Sequence, residues 1–177
     1  DPVMVNAGPD TLLCEDLTAF ELAPFGSPTG GVWGTSSTGL SGSTFNPSEA
    51  GPGIHILTYT VGTGNCAVSD SMTIEVKPLP TVSILNTQTE FCLSEPDIPL
   101  QAEPAGGQWS SPDGGIIAGE SFSPSSSGVG NFTLIYAFTD SFGCSNLDSL
   151  QVTVHPLPVV SANDTTYCNT PGAVALP

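Results

Sequence analysis

The chain repeats itself with a period of about 78 residues, and that period limits its possible folds more than any other property. Cys14 and Cys92 are 78 residues apart, as are Cys66 and Cys144. Trp33 and Trp109 are 76 apart, Phe45 and Phe122 are 77 apart, and Tyr59 and Tyr136 are also 77 apart. Pro78-Leu79-Pro80 returns as Pro156-Leu157-Pro158, and the run VHPLPVVSANDTTYC ending at Cys168 restates VKPLPTVSILNTQTEFC ending at Cys92. Residues 1–80 therefore read as one repeat, 81–158 as a second, and 159–177 as the start of a third. Cys168 takes the place of the first cysteine of a repeat, so its partner is expected beyond residue 177 and the chain reads as a segment of a longer array.

A unit of this length is near the lower limit for a self-sufficient core, so its pattern must be economical. No stretch shows a sustained helical period with caps, whereas alternation of period two recurs. Met72, Ile74 and Val76 face one way in DSMTIEV, and Leu150, Val152 and Val154 repeat the pattern. Upstream, Leu57, Tyr59 and Val61 alternate with Thr58 and Thr60, matched by Leu134, Tyr136 and Phe138. GTGN and DSFG link these strands as hairpins. Trp33 and Trp109 follow Gly30-Gly31 and Gly106-Gly107 on an earlier strand. The pattern predicts an all-β chain of tandem Ig-like antiparallel sandwiches, about seven strands each. Trp33, Trp109, Tyr59 and Tyr136 are expected in the cores.

Charge excludes several classes of partner. Against 17 Asp and Glu there is one basic side chain, Lys77, for a net charge of -16. Such a chain cannot neutralise phosphates, so nucleic acid and anionic lipid are poor partners. No run of 18 apolar residues is present, so direct membrane insertion through an apolar helix is not expected. Lys77 precedes Pro78, which leaves no good tryptic site.

The cysteines predict a staple. Cys14 to Cys66 and Cys92 to Cys144 both span 52 residues, which suggests one disulfide inside each repeat. Closing a loop of that length contributes about 4 kcal/mol on the chain-entropy model. Cys66 lies seven residues after Tyr59, and Cys144 eight after Tyr136, too far along to cross the centre of an antibody-type sandwich. Each bond is expected to join the start of the second strand to the hairpin at one end. Disulfides also imply a compartment outside the reducing cytosol.

Taken together, the motifs are PTGGVW, FNPS, GPG, LTYTV and GNC in the first copy, then PAGGQW, FSPS, GVG, LIYAF and FGC in the second. This pattern resembles the tandem Ig-like repeats of giant Bacteroidetes cell-surface proteins, including gliding-motility adhesins and surface filaments exported by type IX secretion. The resemblance implies an extracellular, cell-surface location, with further repeats of the same long chain as partners and a homo-oligomeric filament as one form of assembly. It also gives meaning to Asp10-Thr11-Leu12, Asp70-Ser71-Met72, Asp148-Ser149-Leu150 and Asp164-Thr165-Thr166, which look like that phylum's Asp-Ser/Thr-apolar O-glycosylation tripeptide. Thr11, Ser71, Ser149 and Thr165 are the implied acceptors; the plain alternative is that Asp and Ser are common at strand starts.

Chemistry is sparse. His55 aligns with Phe132, and His155 with Lys77; neither accompanies a repeated nucleophile and carboxylate, so no triad is assembled. No catalytic residue, cofactor or metal ligand is assigned. Calcium between domains remains a minor alternative at Asp10 and Asp164, but Gln88 stands in that position in the second copy and no dense Asp loop occurs. The junction Val76-Lys77-Pro78-Leu79-Pro80-Thr81-Val82 has no Gly/Ser spacer, and its prolines favour a short, semi-rigid link and a rod. The sequence therefore points to a non-enzymatic structural segment of a surface adhesin or filament, giving reach and rigidity for adhesion, motility or prey capture. The alternatives are a glycan- or protein-binding Ig-like module and the non-catalytic stalk of a secreted enzyme.

Overall fold

The computed structural model describes residues 4–159, and the expectations for the third repeat, Thr165 and Cys168 lie outside them. In the first half, β1 (Thr11–Cys14), β2 (Phe20–Glu21), β3 (Val32–Thr35), β4 (Leu40–Ser41) and β5 (Thr44–Phe45) precede a single helical turn, α1 (Pro47–Ala50). The long hairpin of β6 (Gly53–Val61) and β7 (Val68–Lys77) follows. One sheet has the order β1-β7-β6-β3 and the facing sheet the order β2-β5-β4. The pairs are antiparallel except β1 with β7, which run parallel with Cys14 opposite Lys77.

The second half repeats this order. β8 (Ser83–Ile84), β9 (Glu90–Cys92), β10 (Ile98–Pro99), β11 (Ala102–Glu103), β12 (Gln108–Ser110), β13 (Ile117–Ala118) and β14 (Ser121–Phe122) lead to α2 (Pro124–Ser127). The hairpin of β15 (Gly130–Thr139) and β16 (Ser145–His155) completes it. Here β9-β16-β15-β12 faces β10-β14-β13, and β9 is the parallel strand. β8 pairs with β11, and the corresponding place in the first half is held by the Asn6–Ser27 bridge. A first segment that pairs with the second strand and then crosses to run parallel with the last is Ig-like topology, so the chain is a tandem of Ig-like β-sandwiches.

Alternation along the hairpins creates the two cores. Leu57, Tyr59, Met72, Ile74 and Val76 meet Leu22, Trp33 and Phe45 in one; Leu134, Val152 and Val154 meet Phe91, Leu100, Phe122 and Phe132 in the other. Trp33 is 8% exposed, whereas Trp109 is partly buried against its core. Each indole packs on the neighbouring tyrosine, with ring centroids 4.9 Å apart in both copies.

The paired glycines explain how that tyrosine fits. A Cβ on Gly31 would lie 2.4 Å from Tyr59 Cζ, and one on Gly107 would lie 2.5 Å from Tyr136 Cζ. The absent side chain lets the Gly31 N–H donate to Tyr59 Oη at 2.8 Å, while that hydroxyl donates to the Pro28 carbonyl at 2.8 Å. Gly107, Tyr136 and Pro104 repeat the arrangement, at 2.6 Å for both bonds. The buried hydroxyls thus satisfy backbone groups that no strand partner reaches.

The FNPS and FSPS motifs form the helical turns, which periodicity alone did not disclose. Pro47 and Pro124 occupy the first helical positions, where their fixed torsion is already helical and their missing N–H costs no bond. Both prolines are buried beside Phe45 and Phe122, which are fully enclosed.

Candidate functional site

The cysteine pairing expected from spacing is corrected by the fold. Cys14 is bonded to Cys144, with Cα atoms 5.5 Å apart, so the bridge joins the first sandwich to the second. Cys66 and Cys92, expected to pair with Cys14 and Cys144, are exposed free thiols. The reason is the parallel pairing of β1 with β7. Cys14 lies opposite Lys77 at the end of β7, whereas Cys66 lies in the turn before β7 begins at Val68. At about 3.3 Å per residue, the length of β7 separates them by roughly 30 Å, far beyond the reach of a disulfide. The second half has the same geometry, with Cys92 opposite His155 at one end of β16 and Cys144 preceding Ser145 at the other.

The joint brings together more than sulfur. The turn before β16 is fixed by Asp140, whose Oδ1 accepts the Phe142 and Cys144 N–H groups at 2.9 Å each. The Asp140 N–H donates to the Cys144 carbonyl at 2.9 Å, closing the turn and presenting a fully buried Cys144. The same turn places the Phe142 ring under Lys77, whose Nζ lies 4.3 Å from the ring centroid. Glu75 holds that ammonium from beside it on β7. The sole basic side chain of an acidic chain is therefore used where the two sandwiches meet; a cation over an aromatic face contributes about 0.5–2 kcal/mol.

Side chains also fix the peptide link to the second sandwich. Asn146 Nδ2 donates to the Pro80 carbonyl at 3.0 Å, and Asp148 Oδ2 accepts the Ile84 N–H at 2.8 Å. Asp70 Oδ2 accepts from Ala7 N–H at 2.9 Å in the equivalent position of the first sandwich. The Asp of each tripeptide around Ser71 and Ser149 thus secures the entering strand. Both serines are exposed, while Thr11 is partly buried.

Among the described residues, the remaining polar groups do not converge. His55 Nε2 lies 2.9 Å from the Gly51 carbonyl, and its buried ring packs against Phe45. His155 pairs with Glu90 on the exposed end of β16. Asp10 Oδ1 accepts the Thr73 N–H at 2.7 Å. Among the described residues, no three His, Cys, Asp or Glu side chains cluster as metal ligands. The groove lined by Asn6, Gly8, Pro9, Pro24, Phe25 and Ser27 contains no carboxylate, imidazole or thiol side chain. No helix among the described residues is long and apolar enough to cross a membrane.

No family model and no curated protein matches this chain. Among solved structures, the insect immune protein hemolin is similar over 89% of this chain and 46% of its own, at 13% identity and a TM-score of 0.35. The chain thus spans less than half the length of hemolin. Titin domains I67–I69 match over 87% of this chain and 67% of theirs, at 10% identity and a TM-score of 0.35. Human protocadherin-24 EC1-2 matches over 89% of this chain and 100% of its own, at 12% identity and a TM-score of 0.32. Likenesses this distant add nothing to the strand order, on which the Ig-like assignment rests.

Proposed function

We propose that the chain is a tension-bearing, non-catalytic segment of an extracellular bacterial surface adhesin or filament, of the Bacteroidetes type exported by type IX secretion. The observation carrying this reading is the Cys14–Cys144 bond between successive sandwiches. A chain that needed only a flexible tether would use a Gly/Ser spacer, whose ends wander. Here Lys77 leads through Pro78-Leu79-Pro80 almost directly into β8 at Ser83, and a covalent bond closes the joint beside it. Such a joint resists bending and separation, giving reach with stiffness. The net charge of -16 keeps rods apart unless salt or divalent ions screen it. Ser71 and Ser149 are the exposed positions proposed to carry O-glycans.

Electron microscopy of the protein sheared from its source cells in seawater-like salt tests this reading. Thin beaded rods that stay straight when oxidised and bend after reduction are expected. Compact particles, or rods equally flexible in both states, would overturn the tension-bearing role.

A further inference from the structure

We propose that the exposed Cys66 and Cys92 are the two unpaired halves of the same interdomain bridge, and that each takes as partner another repeat of this kind docked end to end. The inference deepens the reading of a tension-bearing array and rests on the repetition of the joint's geometry.

Both sandwiches present their first cysteine in the same backbone frame. After β1, the Glu15 N–H donates to the Lys77 carbonyl at 3.0 Å and the Leu17 N–H to the Cys14 carbonyl at 3.2 Å. After β9, the Leu93 N–H donates to the His155 carbonyl at 2.9 Å and the Glu95 N–H to the Cys92 carbonyl at 3.0 Å. Cys92 therefore sits at the far end of the second sandwich as Cys14 sits at the joint. Cys66, in turn, occupies the turn before β7 as Cys144 occupies the turn before β16. The one observed bond shows what these two positions do when two sandwiches meet: the first cysteine of one repeat reaches the hairpin cysteine of the next.

Cys66 and Cys92 lie at opposite ends of the tandem and so cannot reach each other within one chain. Cys92 takes the hairpin cysteine of a following repeat, and Cys66 takes the first cysteine of a preceding one. The successive bonds would overlap in sequence, since Cys92 lies inside the loop closed by Cys14 and Cys144. Each sandwich would then be tied to both neighbours. In each new bond two thiols lose two protons and two electrons and form one disulfide. The electrons pass to the disulfide of an extracytoplasmic thiol oxidant, which is reduced to two thiols.

A second copy of this chain serves as the probe for a neighbouring repeat. The Cys168→Ser variant leaves Cys66 and Cys92 as the two free thiols, and it is oxidised at high concentration with oxidised glutathione. Peptic peptides are then mapped without reduction. Folded chains should form linear multimers in which Cys66–Cys92 linkages exceed the two like linkages combined by about tenfold, because docked ends raise the effective concentration of one pairing. In guanidinium the multimers should give way to single chains closed by an intrachain Cys66–Cys92 bond, since the two thiols are only 26 residues apart once the fold no longer separates them. A near-random ratio in the folded protein, an excess of like linkages, or failure to form Cys66–Cys92 bonds would overturn the proposal. Each of these outcomes would leave the Cys14–Cys144 joint, and the reading built on it, standing.

Discussion

Pulled by its two termini with the Cys14–Cys144 bond intact, the chain will lengthen only by residues outside that bond; reduced, it will release up to about 450 Å more. The bond spans a sequence separation of 130, so tension entering at the N-terminus passes through Cys14 to Cys144 and on into β16. Nearly all of the first sandwich lies off this path. Loaded directly, β1 is peeled from β7 and β16 is sheared from β15 and β9, but the intervening chain cannot extend. Without the bond, both sandwiches are in series with the load and each contributes its own release. Force spectroscopy of a single chain, repeated with and without a reductant, measures the difference. The Cys144→Ser variant should behave as the reduced protein under both conditions.

Removing one enclosed aromatic ring will destabilise one sandwich and spare the other. Phe45 and Phe122 are each fully buried, in two separate apolar clusters. Truncation of a buried Phe to Ala costs about 3–5 kcal/mol, combining lost transfer free energy with the cavity left behind. For a unit of this size that lowers the melting temperature by roughly 15 °C or more. Calorimetry of Phe45→Ala should show the first sandwich melting early and the second nearly unchanged, with Phe122→Ala giving the converse. A single transition moving as a whole in either variant would mean that the sandwiches unfold as one unit. Their coupling would then extend well beyond the joint.

Particular residues show what could be read from the sequence and what could not. The long hairpins were legible because Met72, Ile74 and Val76 alternate with polar residues and one face of each strand is buried, which fixes register strongly. The bond partner of Cys14 was not legible from spacing. An interval of 52 residues recurs in both copies, but spacing carries no direction in space. The deciding fact is that TLLC runs parallel to the last strand, which carries Cys14 away from the hairpin that holds Cys66. A four-residue strand lacks enough alternation to reveal its partner. One signal was available: a cysteine ending a segment parallel to the last strand of an Ig-like sandwich must emerge beside the linker to the next domain.

Lys77 and Phe142 show a second limit of the same kind. Lys77 stood out as the only basic side chain, and Phe142 lies within the DSFG turn, yet they are separated by a whole sandwich in sequence. Their contact depends on how two repeats dock, information that no single repeat contains. The equivalent residues elsewhere, His155 and Gly64, would give a different joint, so repetition preserves the cysteine frame while the surrounding contacts vary.

The most direct test is the disulfide map of the unreduced chain, digested with pepsin at low pH so that bonds do not exchange. The account predicts a peptide containing Cys14 joined to one containing Cys144, with neither joined to Cys66 or Cys92. Recovery of Cys14–Cys66 together with Cys92–Cys144 would contradict it, returning each staple to its own repeat and leaving the joint without its covalent bridge.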